Sequence, residues 1–159
     1  MYRMQESTHP RGLIKIAIIQ ATALVAFVIG IDQIAKQWAI ASKPSWGISN
    51  LIESVHHQNY GIIANIPIPQ WITILATLAI IVYITMQFLK EKNTSIHFIL
   101  AYGLLIGGAL GNLIDRIYLG YVFDWILIFG RSAINIADIS ITIGIIFYLI
   151  GLKKGIGRF

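Results

Sequence analysis

"LIKIAIIQATALVAFVIGID", Leu13 to Asp32, decides the fold. Between Lys15 and Asp32 no formal charge interrupts it, and a helix of about 20 apolar residues crosses the hydrocarbon of a bilayer. Comparable runs recur at 70–89, 96–114 and 136–152, so four transmembrane helices are expected. The composition agrees. Of 159 residues, 57% are hydrophobic and 12% charged, and the mean hydropathy of +0.74 lies outside the usual range of a soluble domain. The first run follows a basic N-terminus (Arg3, Arg11, Lys15), as a secretory signal would. It is longer than an apolar signal core of about 7 to 15 residues and ends at Asp32 without a small-residue cleavage site, so it reads as a retained helix.

Lys and Arg set the orientation. With the N-terminus cytoplasmic, that side holds Arg3, Arg11, Lys15, Lys90, Lys92, Lys153, Lys154 and Arg158, against Lys36, Lys43, Arg116 and Arg131 outside. Eight against four places both termini inside. The net charge of +5 belongs to this asymmetry, and no basic run is dense enough for a nucleic-acid footprint. Without cysteine there is no disulfide, thiolate metal site or thiol nucleophile. His56 and His57 are neighbours that point to opposite faces of a strand, and no H-E-x-x-H spacing occurs, so neither metal nor cofactor is expected.

The first connection, "KPSWGISNLIESVHHQNYGIIANIPIPQ" (43–70), reads as short strands punctuated by Gly and Pro. Its Trp46, Ile62, Ile63 and Ile66 suit a small sheet resting at the outer bilayer surface. The second, "KEKNTS" (90–95), is a short basic hairpin. The third, 117–134, is amphipathic and aromatic and reads as a half-inserted outer loop. The fold class is therefore an all-α integral membrane protein of four helices with a small extracytoplasmic sheet, and residues 1–159 form one domain.

Of seven acidic residues, Glu6, Glu53 and Glu91 sit in loops and need only solvation. The other four are Asp32, at the outer end of helix one, Asp115, at the outer end of helix three, Asp124, in the outer loop, and Asp138, at the start of helix four. An ionisable group at the membrane is costly and points to function, although each aspartate alone also fits a helix cap or a headgroup contact. Their neighbours favour function. Asn112, Asp115 and Arg116 share one helix face at i, i+3, i+4, and Asn135, Asp138 and Thr142 share another. Gly103, Gly107, Gly108 and Gly111 flatten helix three for close packing. Asp32 and Lys36 form an i, i+4 pair that a local ion pair explains, and Asn59 alone reads as a turn residue.

In order along the chain stand "DQIAK" (32–36), "NYG" (59–61), "GGALGNLIDR" (107–116), "GYVFDW" (120–125) and "NIAD" (135–138), and with them the chain resembles the bacterial prolipoprotein signal peptidases, the type II signal peptidases, over nearly its whole length. The resemblance implies an aspartyl endopeptidase that removes the signal peptide of a prolipoprotein just before its diacylglyceryl-modified cysteine. On matching positions, Asp124 and Asp138 are the implied catalytic pair, Asn59, Asn112, Arg116 and Asn135 the substrate-binding residues, and Asp32, Lys36 and Asp115 the supporting ones, with Asp115 tethering Arg116 or the loop. It further implies a monomer in the bacterial cytoplasmic (inner) membrane, its site at the outer face, that meets membrane lipid as well as substrate and is inhibited by globomycin-type cyclic peptides. Two features depart from the family pattern: "YGIIANI" (60–66) follows Asn59 where small residues and an aromatic are usual, and the Asp124–Asp138 loop is short.

The chemistry of such a pair is general. Two carboxyl groups sharing a site hold one proton near neutral pH, so one activates water while the other donates to the scissile carbonyl. Among rivals, a metal-dependent lipid phosphotransferase needs further aspartates clustered on one helix. A proton-coupled transporter needs carboxylates at the bilayer midplane. A serine intramembrane protease needs a nucleophile motif of the G-x-S-x-G kind, and none occurs.

Overall fold

The computed structural model describes residues 10–61, 69–90 and 95–153. The readings placed on Arg3, Glu6, Ile62, Ile63, Ile66, Glu91, Lys92, Lys154 and Arg158, most of the 90–95 hairpin and the atypical stretch after Gly61 lie outside the described residues. Four helices, α1 (Pro10–Ser42), α2 (Gln70–Lys90), α3 (Ile96–Tyr118) and α4 (Ile136–Lys153), are each long and apolar enough to span a membrane. Helix α3 is the centre of the bundle. It packs against α1, α2 and α4, and it alone buries most of its span.

Small residues make that centrality possible. A methyl group on Gly108 would stand 2.5 Å from the Ala137 carbonyl oxygen of α4, and one on Gly107 would stand 2.8 Å from Val28 of α1. Many large aliphatic side chains of α1, α2 and α4, such as Ile19, Ile80 and Ile146, point outward instead, which in a bilayer is their apolar solvent.

Helix α1 differs from its sequence reading. It does not end near Asp32 but runs on to Ser42, where Lys43 turns left-handed (φ 45°) and Pro44 blocks continuation. The charge at Asp32 marked the end of the apolar run, not of the helix, because Lys36 one turn on neutralises it. At about 50 Å the helix is longer than a bilayer core requires.

The connections form one antiparallel sheet in the order β1-β2-β3-β4, with β1 (Gly47–Ile48) and β2 (Ile52–Asn59) from the first, β3 (Val122–Ile128) and β4 (Ser132–Ile134) from the third. The stretch read as an amphipathic outer loop is thus a hairpin completing the sheet expected from the first connection. Its primed turn holds Phe129 and Gly130 at φ 52° and 61°, a geometry that matches the strand twist. Register across β2 and β3 sets His57 opposite Asp124 and Asn59 opposite Val122, with a bulge between Ser54 and His57. Trp125, on the strand face opposite Asp124, packs edge-on against Trp38 of α1 and Trp46 before β1 and ties the extended end of α1 to the sheet.

Gly108→Ala tests the α3–α4 contact. The added methyl meets backbone, so unfolding in detergent should shift by about 1–3 kcal/mol. Gly103→Ala, whose methyl has side-chain atoms of Leu24 and not backbone as its nearest neighbours, should shift it less.

Candidate functional site

Asn135 is where the site begins. As the residue before α4 it accepts the Asp138 N–H on its Oδ1 (2.9 Å), while Asp138 Oδ2 accepts the Asn135 N–H (3.3 Å). This reciprocal capping box satisfies two otherwise orphaned donors and explains the "NIAD" spacing locally. The amide nitrogen of Asn135 then spends both hydrogens, on Asp124 Oδ1 (2.7 Å) and Asn112 Oδ1 (3.0 Å). Asn112 completes the circuit by donating its Nδ2 to Asp138 Oδ1 at 2.8 Å. One strand aspartate and one helix aspartate are thereby held to a common asparagine, Asn135, with Asn112 bonded both to it and to Asp138.

Beneath this circuit lies a buried ionic cluster. The Lys36 ammonium contacts Asp32 Oδ2 (2.7 Å), Asp115 Oδ2 (2.9 Å) and Asn112 Oδ1 (3.2 Å), which uses its three donors. Gln33 adds bonds to Asp32, Asp115 and the Gly111 carbonyl. Asp32 Oδ1 also takes the Ala137 N–H of α4 at 2.9 Å, and Asp115 Oδ2 takes the Phe123 N–H of β3 at 3.0 Å. Burial in this setting demands such complete pairing, since an unpaired charge there costs several kcal/mol.

Asn59 ends β2 in a turn closed by the Gly61 N–H on its Oδ1 (3.0 Å), and its Nδ2 donates to Asp124 Oδ2 at 3.0 Å. Arg116 reaches the carbonyls of Asn112 and Gly61, both at 3.4 Å. Asp115 therefore tethers the β3 loop, not Arg116. Thr142 stands apart: it is exposed, and its hydroxyl donates to the Asp138 carbonyl of its own helix. All four aspartates meet in one region, as do the other five residues singled out with them, Lys36, Asn59, Asn112, Arg116 and Asn135. Sequence reading did not foresee Gln33, although it lies within "DQIAK" beside Asp32.

A groove of about 640 Å³ opens between α2, α3, α4 and β4. Asn59, Asn112, Arg116 and Asp138 line its polar end, while Ile80, Ile84, Leu105, Ile141 and Ile145 make the rest apolar. Asp138 is half-buried in this wall, whereas Asp124 is 0% exposed and lies behind it. Burial above all, and the Asp138 charge after it, push the Asp124 carboxyl up to about 7, against the opposing donors Asn59 and Asn135. No group of three or more His, Cys, Asp or Glu suited to a metal ion occurs among the described residues.

Residues 24–153 match the family model of signal peptidase (SPase) II. The chain is similar to lipoprotein signal peptidases of Streptococcus agalactiae (34% identical over 82% of this chain and 90% of the relative) and of Clostridioides difficile (32% over 80% and 90%). Its fold is similar to that of two solved bacterial membrane enzymes. One has a TM-score of 0.76 at 29% identity, covering 84% of this chain and 87% of the other, and the second has 0.70 at 30%, covering 83% and 91%.

The raised Asp124 carboxyl fixes a sign for stability. A carboxyl that holds its proton to about pH 7 when folded, but only to about 4 when unfolded, contributes stability that is present below pH 4 and is lost as pH rises to 7. The Asp124→Asn protein lacks this dependence. Its thermal midpoint relative to the wild type should therefore climb between pH 5 and 8 in parallel melts.

Proposed function

This chain belongs to the signal peptidase II family, and we propose that Asp124 and Asp138 carry out that family's aspartyl hydrolysis, the removal of a signal peptide from a prolipoprotein. The observation that carries the assignment is the Asn135 bridge, which bonds Asp124 through its side chain and Asp138 through its cap. Within the pair, Asp138 faces the groove and is the general base, taking a proton from the attacking water. Asp124, buried and pushed up to about 7, carries the shared proton and donates it to the scissile carbonyl oxygen. Water adds to the carbonyl carbon, and collapse of the tetrahedral intermediate returns a proton to the leaving amine. No covalent enzyme intermediate is required.

Asn59 occupies Asp124 Oδ2 in the resting enzyme, so the arriving carbonyl takes its place and frees the amide for substrate backbone. Asn112 and Arg116 supply the remaining donors, while Asn135, expected to bind substrate, spends both amide hydrogens on Asp124 and Asn112 and holds the pair instead; a donor aimed at the developing oxyanion contributes about 3 kcal/mol. The apolar length of the groove suits the acyl chains of a diacylglyceryl-modified cysteine, with cleavage on its N-terminal side. In this reading residues 1–159 act as one monomeric domain of the inner membrane, both termini are cytoplasmic, the site opens at the outer face beside membrane lipid, and cyclic lipopeptides of the globomycin type compete for the groove.

Purified protein should cleave a diacylglyceryl-modified prolipoprotein in mixed micelles at a rate indifferent to EDTA. Asp124→Asn and Asp138→Asn should each lower kcat by about 10³-fold or more, and wild-type kcat/KM should decline above pH 7 as Asp124 loses its proton. Full-rate cleavage by either variant would exclude the pair.

A further inference from the structure

We propose that Lys36 is a positioning residue which sets the separation of Asp124 and Asp138, its ammonium tying together two carboxylates that each hold the backbone N–H immediately before one of the pair. Asp32 holds the N–H of Ala137, the residue before Asp138, and Asp115 holds the N–H of Phe123, the residue before Asp124. Lys36 lies 2.7 Å from the first carboxylate and 2.9 Å from the second. Its third contact, with Asn112 Oδ1, fixes the amide so that Nδ2 faces Asp138. Were the amide turned over, its nitrogen would face the ammonium and its oxygen would face a carboxylate.

Stability alone explains this arrangement poorly. Buried ion pairs are often matched or bettered by apolar residues of similar volume, so a cluster of three is weak as glue. What distinguishes it is where its remaining bonds go. Apart from the Gln33 contacts, each leads to an atom one residue from the pair or to the asparagine that bonds it. The cluster also joins the elements that carry or flank the pair, α1, α3, β3 and α4. A small relative shift of them would misplace the pair, and misplacement of about 1 Å can cost about 100-fold in rate.

The proposal rests on the aspartate-pair reading, and kinetics of Lys36→Met with a lipopeptide substrate tests it. The charged groups around the pair are Arg116 from α3, Asp32 and Lys36 from α1 and Asp115 from α3, with His57 opposite Asp124 on β2. Lys36→Met should lower kcat by about 100-fold while an uncleavable lipopeptide binds within about threefold of wild type. Its alkaline pH limb should move upward, because Asp124 loses a nearby cation. A fall in kcat that only tracks the folded fraction, with the limb unmoved, or an equal loss of lipopeptide binding, overturns the proposal.

Should Lys36→Met not fold, Asp32→Asn decides. The Ala137 N–H and the Lys36 ammonium sit on different oxygens of Asp32, and the single acceptor oxygen of an amide cannot serve both, so kcat should drop about tenfold or more at unchanged binding. Wild-type kcat in folded Asp32→Asn overturns the proposal equally. If Asp124→Asn and Asp138→Asn themselves cleave, it is the pair that fails. If they are inert while the Lys36 and Asp32 variants turn over normally, only the positioning role fails.

Discussion

The Asn135 amide has no hydrogen-bonding capacity to spare, and that constraint shapes the region around it. Its oxygen closes the first turn of α4 and its two hydrogens go to Asp124 and Asn112. Asparagine is the side chain that can do both at once, since a carboxylate has no hydrogens to give and a hydroxyl only one. A cap that would ordinarily be worth about 1 kcal/mol to a helix terminus becomes the ruler between a strand and a helix. Because the residue is fully buried, departure of any partner would leave a polar group unmet, so the geometry is held from every side.

Charge is handled in two layers that differ in purpose. The lower layer, Asp32, Lys36 and Asp115, is almost without exposure, and its bonds are complete. The upper layer is left less comfortable. Asp124 is buried with amide donors and forms no ion pair among the described residues, and its carboxyl rises to about 7. A group that is hard to ionise at neutral pH is a liability for folding and an asset for proton donation. The lower layer supplies the rigidity that lets the upper one remain poised.

Much of this was legible from residue order, and the parts that were not share a cause. The apolar runs of α2, α3 and α4 appear with nearly the right ends because hydrophobic length is a local property. The face shared by Asn112, Asp115 and Arg116 was visible from helical spacing, as were the glycines whose close packing between α3 and its neighbours lets Asn112 meet Asn135. The end of α1 was misread because a charge ends an apolar run without ending a helix. The strand Val122–Ile128 was hidden because its inward positions include Asp124, which breaks the apolar alternation that marks a half-buried strand. Asp32 and Lys36 looked like a local pair, since nothing in their spacing reveals that Asp115 and Asn112 approach from another helix.

Gly111 shows why the small-residue face and the polar site are one design. A methyl group there would stand 2.8 Å from Asp32 Oδ2 and 3.4 Å from the Ala137 methyl, so the missing side chain is the space in which α1 brings its carboxylate to α4. The same residue offers its carbonyl to Gln33, which steadies the cluster from the other side. Close helix packing in lipid is usually credited with van der Waals gain alone. Here it also lets polar side chains of α1, α3 and the start of α4 bond one another directly. Backbones spaced further apart would need longer side chains, and each added rotatable bond would loosen the positions of Asp124 and Asp138.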